Sequence, residues 1–416
     1  MVLIELFDAE SPIDNLLSTL TFQVERTIFF GKSKSDFEAQ RDGLVRVLRS
    51  RGLDLTLEFR TWSQYDPVGI MHSFCDVIRE YPDCVFDLTG GEDSDLFAAG
   101  MLQERYGDAG IPMFRMNPTT GRAKALFGEL PPQREECPPL TIGECIALHG
   151  GSIVYRSENA PHGTIRWEMD PPFCGMLQTM QELYHQNTGR WNMLVTVLSA
   201  LPYCRNYCAD SPLTVEVRMN ALREAVAQYY PGMTWYRMDW ALLQQLDSKG
   251  VIRLYIRDED TLKLAFASEQ VRECLTRAGT VWELEIYQAL RSLQDSRGRP
   301  LVSDCMTGVV VDWDGLEHAD ESQNARNEID VLAIRGTMPV FISCKSKTYN
   351  ADELYKLFTV ALQFGGKYSR RLLCASVPRS DPSISALQER AARMGIRLCQ
   401  FEPGSDVAKT LRGLIC

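Results

Sequence analysis

Two apolar segments near the end of the chain carry the side chains best suited to chemistry. Residues 327–334 form a strand-like run with a carboxylate, Asp330, at its start or middle, and residues 340–347 form a second run after a turn. Side chains alternate along a strand, so Ser343, Lys345 and Lys347 share one face of the second run. If the two runs pair, Asp330 and Lys345 lie together at a sheet edge. The carboxylate could bind a hard divalent cation, and the ammonium group could orient water or offset charge in phosphoryl transfer.

A second carboxylate is needed beside Asp330. A helix predicted over residues 281–293 offers Glu283 and Glu285. These two acids are two positions apart on the helix, so they face different directions and only one of them can join the site.

Each of these residues also has an ordinary explanation when it is taken alone. Asp330 would be a solvated acid at a strand end, and Lys345 and Lys347 would protect an edge strand against aggregation. Gln363, on a helix predicted over residues 351–364, completes a longer pattern. The order of helix Glu, strand Asp, strand Lys and helix Gln resembles the core of the PD-(D/E)xK nucleases.

A Gly-rich turn is the other segment that could bind a ligand. Residues 84–95 indicate a buried strand, a Thr-Gly-Gly turn at 89–91 and the start of a helix. The glycines would let a ligand approach the backbone, and the amides at a helix start attract phosphate. The alternative is a tight turn in which Asp93 or Ser94 caps the helix. The three acids between 92 and 95 would repel phosphate unless they face ribose or adenine.

The elements that must position these groups predict an α/β fold. Residues 1–120 alternate short apolar runs with helical patterns, which predicts a parallel sheet of Rossmann type. Residues 281–401 predict the order α-β-β-β-α-β with an appended αβ unit.

The middle of the chain predicts a different arrangement. Long helices are predicted over residues 171–201 and 213–230. A helix over 238–249 is followed by two alternating runs, 251–256 and 262–266, and this helix-hairpin pattern is typical of a winged helix.

Composition and charge exclude several classes of protein. The 416 residues are 45% hydrophobic and 24% charged, and no apolar run of about 18 residues could span a membrane. The N-terminus lacks the basic segment of a signal peptide, so we expect a cytoplasmic protein. Residues 280–416 hold 17 acids and 17 bases, so the whole formal charge of −11 lies in residues 1–279. Nucleic acid is therefore expected to bind locally, in the C-terminal part.

Five short motifs, in their order along the chain, resemble one family. They are Asp87-Leu-Thr-Gly-Gly-Glu-Asp93, Gly279-x-x-Trp-Glu283, Asn327-Glu-Ile-Asp330-Val, Ile342-Ser-Cys-Lys345 and Gln363-Phe-Gly-Gly-Lys367. The chain resembles the CRISPR-associated Rossmann-fold (CARF) proteins fused to a PD-(D/E)xK nuclease, which are ancillary effectors of type III CRISPR systems. The resemblance covers nearly the whole chain. It implies a CARF sensor in residues 1–155, a helical linker and winged helix in 156–278, and a nuclease in 279–416.

The resemblance also implies a ligand, a metal and a reaction. A homodimer would bind a cyclic oligoadenylate, most often cyclic tetra-adenylate, and would then cleave nucleic acid with Mg2+ or Mn2+. Glu283 and Asp330 would hold the metal, Lys345 would be the signature lysine, and Ser343 and Gln363 would complete the site. The ligand would contact the loop after the first strand and the Gly-rich turn, at Asp8, Ala9, Glu10, Ser11, Thr89, Gly90, Gly91, Glu92 and Asp93. The substrate stays open among RNA, single-stranded DNA and duplex DNA, and so does the ring size of the activator.

Two positions depart from the family's pattern. Asp93 stands where many members have lysine, which puts phosphate pairing there in doubt. Ser343 stands where the general motif has Glu or Asp two residues before the lysine. One metal ligand is therefore missing from its usual place, and Glu283 or Glu328 is the candidate to replace it.

The winged-helix segment leaves a second function open. A ligand-responsive transcription regulator would read DNA with that segment and keep a degenerate nuclease domain. The hairpin tip, residues 257–260, is mostly acidic and would repel a duplex. We therefore favour the nuclease, with the middle region as a spacer that transmits movement.

Overall fold

In the computed structural model the chain forms three β-sheets connected by helices. The structure describes residues 1–416 except 63, 107–109, 135–138, 205–207, 212, 234–236, 258–259, 316–324, 377–383, 403 and 416. The elements up to residue 155 are β1 (Val2–Leu6), α1 (Leu17–Thr21), β2 (Arg26–Gly31), α2 (Lys34–Ser50), β3 (Thr56–Thr61), α3 (Pro67–Glu80), β4 (Val85–Asp87), α4 (Asp93–Tyr106), β5 (Met113–Asn117), β6 (Arg122–Phe127), α5 (Ile142–Leu148) and β7 (Ser152–Ile153). Those of the middle are α6 (Pro171–Gln186), α7 (Thr188–Ser199), β8 (Cys208–Ser211), β9 (Thr214–Arg218), α8 (Met219–Tyr229), α9 (Trp240–Ser248), β10 (Ile252–Arg257), β11 (Thr261–Phe266) and α10 (Glu269–Thr276). The last are α11 (Thr280–Ser292), β12 (Asp304–Asp312), β13 (Arg326–Arg335), β14 (Met338–Lys345), α12 (Ala351–Gly365), β15 (Arg370–Ala375), α13 (Ile384–Arg393), β16 (Ile396–Gln400) and α14 (Val407–Ile415).

The first sheet has the strand order β3-β2-β1-β4-β5-β6. The first five strands are parallel and β6 pairs antiparallel with β5. The predicted parallel sheet is therefore present, and β6 is an edge strand that the sequence pattern did not predict. The strand order reverses between β1 and β4, and in sheets of this type ligands bind beyond the carboxyl ends of the strands at that point.

The middle region holds a four-stranded antiparallel sheet of order β10-β11-β9-β8. The predicted hairpin is present as β10 and β11, and residues 258–259 of its tip lie outside the described residues. The helix predicted over 213–230 is wrong in its first turns, because Thr214–Arg218 forms β9 and pairs with β11. The side chains of Val215 and Val217 are buried, in the alternation that a strand produces. The winged helix stays a prediction, since the hairpin belongs to a sheet wider than a two-stranded wing.

The third sheet has the order β16-β15-β14-β13-β12-β7. Strands β12, β13 and β14 are antiparallel neighbours, and β15 and β16 continue the sheet in parallel. The sequence order predicted for this part is confirmed, with α14 added at its end. The short strand β7 comes from residues assigned to the first domain, yet it pairs with β12. The domain boundaries remain predictions, and this pairing argues for a first boundary before α5.

Both faces of the third sheet are buried, which explains why its strands are apolar almost throughout. On one face Val331 and Ala333 of β13 share an apolar cluster with helices α6, α7 and α11. On the other face Leu332 and Ile334 share a cluster with β1, β2, α2 and α5. The third sheet therefore packs between the other two regions. Among the described helices, none combines the length and apolarity that crossing a membrane would require.

Candidate functional site

The first candidate site is a cleft at the carboxyl end of β14, beside the middle of β13. The antiparallel pairing of these strands places the Asp330 carboxylate beside β14, where it accepts hydrogen bonds from Ser343 Oγ at 3.1 Å and from the Cys344 amide at 2.6 Å. Lys345 Nζ lies 3.7 Å from the same carboxylate. The structure thus brings together Asp330, Ser343 and Lys345, as the sequence pattern predicts. Ser343 acts here as a hydrogen-bond donor that orients the acid.

Glu283 enters the cleft from the first turn of α11. It is half-buried and lines a cavity of about 420 Å3 together with Glu328, Asp330 and Lys345. Burial raises the pKa of Glu283 well above its ordinary value, and the nearby carboxylates of Asp330 and Glu328 raise it further. Gly279, with φ of 94°, begins the helix, and a Cβ there would come within 2.9 Å of Glu283 Oε1. This glycine therefore leaves the space that the carboxylate occupies.

Only one of the two predicted helix acids joins the cleft. Glu285 faces away and pairs with His185 Nε2 at 2.8 Å. Trp282, the residue before Glu283, is fully buried and donates a hydrogen bond from its indole to the Cys374 carbonyl at 3.0 Å. This anchor fixes the rotation of α11 on the sheet and so decides that Glu283 faces the cleft.

Glu353, in the first turn of α12, is a member of the site that the sequence analysis missed. Its carboxylate lies 2.8 Å from Lys345 Nζ, closer than that of Asp330. Burial alone would lower the pKa of Lys345, but Asp330 and Glu353 offset it and the pKa lies above its usual value. An acid in the first turn of a helix is ordinary, because it complements the helix dipole, and α12 already has Asn350 as its cap. Nothing in the sequence therefore distinguished Glu353.

Gln363 is the predicted catalytic residue that the structure does not bring to this cleft. It lies ten residues after Glu353 on the same helix, a separation of about 15 Å. It lines another cavity, of about 470 Å3, with Glu10, His149 and Trp313. The length of α12 thus separates Gln363 from Lys345, and the placement does not support a role in the nuclease site.

The carboxylates of the cleft can be compared with what a divalent cation requires. Glu283, Glu328 and Asp330 line one cavity, but among the described residues no three His, Cys, Asp or Glu side chains are close enough to form a complete metal cage. Mg2+ usually takes one or two carboxylates and completes its shell with water and substrate phosphate. Asp330 uses Oδ2 for its hydrogen bonds, and its Oδ1 accepts none from the described residues. Glu283 and Asp330 therefore fit a cation of this kind.

The second candidate site lies at the switch between β1 and β4 in the first sheet. The loop after β1 is held by Asp8, whose Oδ1 accepts the amides of Glu10 and Ser11 at 2.9 and 3.0 Å. The carbonyl of Ala9 accepts a hydrogen bond from Gln40 Nε2 at 2.7 Å. The four predicted contact residues of this loop are thus fixed at the carboxyl end of β1.

The Gly-rich turn after β4 lies against the last residue of β1. A Cβ on Gly90 would come within 2.3 Å of the Leu6 carbonyl oxygen, and Gly91 has φ of 85°. Thr89 is buried, and its hydroxyl donates to Asp87 and accepts the Met116 amide at 2.7 Å. The Thr89 side chain therefore stabilises the turn, Gly90 allows the turn to pack closely on β1, and Gly91 is the partly exposed glycine.

The acids after the turn have separate roles. Asp95, in the first turn of α4, accepts the amide of Glu92, the residue before the helix, at 2.8 Å, so Asp95 rather than Asp93 or Ser94 holds the helix start. Asp93 is exposed. Glu92 binds Lys32 and Tyr65, and Lys32 Nζ lies 4.1 Å from the centre of the Tyr65 ring. Lys32 and Tyr65 were not predicted; they supply a cation and an aromatic ring beside the glycines.

Buried acids lie directly beneath this second site. Glu5 and Asp87 are register partners on β1 and β4, and both are fully buried. Burial raises the pKa of Asp87 to about 6 and that of Glu5 well above its ordinary value. Burial also raises the pKa of Asp14, in the loop after β1. Burial therefore disfavours the charged form of each of these three acids.

One lysine connects the second site to the third sheet. Lys367, just after α12, lies 2.7 Å from Asp8 and 3.2 Å from Asp14. The neighbouring Tyr368 hydroxyl donates to Asp14 at 3.3 Å. Lys367, the last residue of the motif Gln363-Phe-Gly-Gly-Lys367, therefore forms a contact between the segment after α12 and the loop after β1.

Comparison with known proteins shows which fold the chain has. No family model matches the chain, and no curated protein matches its sequence. Among solved structures, the crystal structure of protein VC1899 from Vibrio cholerae superimposes with a TM-score of 0.67 at 19% identity, over 100% of this chain and 97% of that one. The structure of Can2 from Sulfobacillus thermosulfidooxidans in complex with cyclic tetra-adenylate gives 0.66 at 15% identity, over 100% and 99%. The chain shares their fold along its whole length, and the predicted α/β class is confirmed.

Proposed function

We propose that this protein is a metal-dependent nuclease of type III CRISPR antiviral defence, activated by a cyclic oligoadenylate, in the first place cyclic tetra-adenylate. The observation that carries the proposal is the convergence of Glu283, Asp330 and Lys345 in one cleft. These three side chains come from α11, β13 and β14, and packing alone gives no reason to gather two acids and a lysine there. The fold shared with Can2, which was solved with cyclic tetra-adenylate, supports the choice of activator.

The cleft has the groups that phosphodiester hydrolysis needs. A cation held by Glu283 and Asp330 would activate water and neutralise phosphate charge. Asp330 is oriented for this by Ser343 and by the amide of residue 344. Lys345 places a positive charge where charge develops on the phosphoryl oxygens. Burial is the main cause of the raised pKa of Glu283, the neighbouring acids raise it further, and a cation between them would relieve that repulsion.

The activator would bind at the switch between β1 and β4. The nucleotide ring would lie beyond the Gly-rich turn at the partly exposed Gly91, with the loop of residues 8–11 on the other side. Lys32 lies at the edge of this site and could pair with a phosphate once released from Glu92. We propose that two copies of the chain share one ligand across a two-fold axis, as the family resemblance implies.

Helix α12 provides a physical connection between the two sites. Its first turn carries Glu353, which pairs with Lys345. Lys367, two residues after the helix ends, pairs with Asp8 and Asp14 in the loop after β1. The helix is about 22 Å long and packs on β14 and β15. A ligand that rearranges the loop after β1 would therefore act on one end of α12, and Glu353 at the other end holds the catalytic lysine. A ligand shifts such an equilibrium only by its different affinity for the two states.

The proposal is tested by measuring cleavage with and without activator. Purified protein with Mn2+ is incubated with labelled RNA, single-stranded DNA and supercoiled DNA, alone and with each cyclic oligoadenylate. We expect cleavage that requires both Mn2+ and a cyclic oligoadenylate. Lys345→Ala should abolish it while affinity for the activator is kept, and Lys409→Ala, which removes an exposed lysine on α14, should behave as the wild type.

Two results would overturn the proposal. One is the absence of cleavage under every combination of metal, activator and substrate. The other is sequence-specific binding of duplex DNA that the ligand regulates in the same way in the wild type and in Lys345→Ala. That result would identify a transcription regulator.

A further inference from the structure

A second cavity, of about 640 Å3, opens beside the catalytic cleft. It lies between the first half of α7, the end of α8 and the segment that follows β14. The lining combines apolar, aromatic and polar groups: Thr188, Gly189, Asn192, Met193, Thr196, Tyr229 and Lys347 among others. None of these residues belongs to the group of Glu283, Asp330 and Lys345.

The cavity adjoins the cleft. Ser346 and Lys347 follow Lys345 directly, and both residues line the cleft as well as the cavity. Asn192, buried on α7, donates a hydrogen bond to the Ser346 carbonyl at 2.8 Å. This bond fixes the segment that separates the two spaces, so a chain that leaves the cleft past Lys345 enters the cavity next.

Large apolar groups are exposed where the cavity opens. The Tyr229 side chain is 46% exposed and that of Met193 is 42% exposed. The Tyr203 ring stacks on the Tyr229 ring with 3.9 Å between ring centres and an angle of 21°. Tyr203 is not among the residues that line the cavity, and its ring, which is itself 52% exposed, covers one face of the Tyr229 ring. An exposed aromatic ring at a cavity is the kind of platform on which nucleobases stack.

The same rim has the charge that a phosphate backbone needs. Lys347 is exposed and makes no ion pair with the described residues. Thr188 and Gly189 form the first turn of α7, where backbone amides point outward. A phosphate between Lys347 and this turn would lie on the path from the cleft to Tyr229.

We infer that this cavity binds the nucleotide next to the scissile phosphate of a single-stranded nucleic acid, with its base stacked on Tyr229 and its phosphate beside Lys347. The inference rests on the proposed nuclease function and names its substrate class. A base in a duplex is already paired and stacked between its neighbours, so it could enter the cavity only after leaving the helix. Single strands offer their bases at no such cost.

The test measures binding of single strands and duplex by the full-length protein. In a Lys345→Ala background, which prevents turnover, fluorescence anisotropy is measured with labelled single-stranded RNA, single-stranded DNA and a duplex of the same sequence, with saturating cyclic tetra-adenylate. Tyr229→Ala should weaken binding of the single strands about tenfold, and Tyr229→Phe, which keeps the ring, should leave it unchanged. Tyr255→Ala, at a tyrosine on β10 that is 52% exposed, is the matched control. Lys347→Ala should reduce the slope of log affinity against log salt by about 0.7.

A direct signal and the overturning results complete the experiment. An oligonucleotide containing 2-aminopurine should lose fluorescence on binding, and Tyr229→Ala should remove that quenching. Unchanged single-strand affinity in Tyr229→Ala, or an equal loss for duplex and single strands, would overturn the inference. These binding results are independent of cleavage by the wild type, so failure of the nuclease proposal is seen separately, as absence of turnover.

Discussion

At the cleft, two carboxylates compete for one ammonium group. Lys345 Nζ lies 2.8 Å from Glu353 and 3.7 Å from Asp330. Glu353 touches neither of the proposed metal ligands and acts on the reaction only through Lys345. We therefore regard it as a positioning residue.

Replacing Glu353 should reduce the rate of the chemical step and leave substrate binding intact. Glu353→Gln removes the charge that holds Lys345, and a misplacement of about 1 Å in an active site can cost about a hundredfold in rate. We expect kcat for activated cleavage to fall between about tenfold and a hundredfold with KM unchanged. Glu353→Asp should restore part of the rate. Glu389→Gln, on exposed α13, is the control, and a change in KM alone would contradict this role.

A second residue-scale prediction concerns the buried Asp87. Because burial raises its pKa from 3.8 to about 6, the folded protein binds more protons than the unfolded chain between these values. Stability is therefore lost as the pH rises from about 4 through 6. Asp87→Asn keeps an oxygen that can accept the hydrogen bonds of Thr89, and it should raise the free energy of unfolding at pH 7 by up to about 3 kcal/mol.

The measurement is chemical denaturation of wild type and Asp87→Asn at several pH values from 4 to 8. The gain should shrink toward zero at pH 4. Asp83→Asn, at an exposed acid next to the same strand, should show no such trend. A gain for Asp87→Asn that does not depend on pH would refute the explanation by buried charge.

The sequence allowed prediction of those site residues whose spacing carries a pattern, and of few others. Asp330 and Lys345 follow from strand alternation, and Gly279 and Glu283 from a motif at a helix start. Glu353 and Lys32 could not be found, because each becomes significant only through a partner on another element. The choice between Glu283 and Glu285 also had to wait for the rotation of α11.

At the scale of elements, α12 has one end in each site. Lys367 holds the loop after β1 through Asp8 and Asp14, and Glu353 holds Lys345 at the other end. Lys367→Ala should weaken the coupling while both sites remain intact. We expect the stimulation of cleavage by cyclic tetra-adenylate to fall about tenfold or more with unstimulated activity unchanged, since coupling energies of this kind correspond to about 5- to 150-fold.

Two controls separate coupling from damage to the fold. Lys367→Arg keeps the charge and should keep the stimulation. Lys249→Ala removes an exposed lysine after α9 and should have no effect. Full stimulation in Lys367→Ala would show that α12 does not transmit the signal.

The elements that could be predicted are those with local signals. The alternation of strands and helices in residues 1–120 and the helix-hairpin in the middle are both present. Strand β9 was missed because α8 follows it directly, with no turn residue between them. Its partner strand, β11, also lies more than 40 residues later in the sequence. Strand β6 was missed because it is exposed along most of its length and so lacks an apolar pattern.

At the scale of the whole molecule, residues 140–164 connect the first and third sheets. Helix α5 buries Ile142, Ile146 and Leu148 in the cluster that contains residues of both sheets. Its Glu144 pairs with Arg51 of the first part at 2.7 Å. Strand β7 then covers the edge of β12, and Val154 extends the contact by donating its amide to Val310 at 2.9 Å. A fold with this connection cannot be divided cleanly after residue 155.

Two C-terminal fragments should therefore differ in stability. The fragment 156–416 lacks α5 and β7, which leaves the edge of β12 unpaired and removes three buried aliphatic side chains, worth about 1.5–3 kcal/mol each. This loss is comparable to the total stability of a typical domain, about 5–15 kcal/mol. We expect 156–416 to aggregate and 140–416 to be the more soluble fragment, with a cooperative thermal transition. The measurements are the soluble yield and the Tm of both fragments. Two fragments that are equally soluble and have the same Tm would show that α5 and β7 do not stabilise the third sheet, and would restore the boundary at 155 that the sequence suggested.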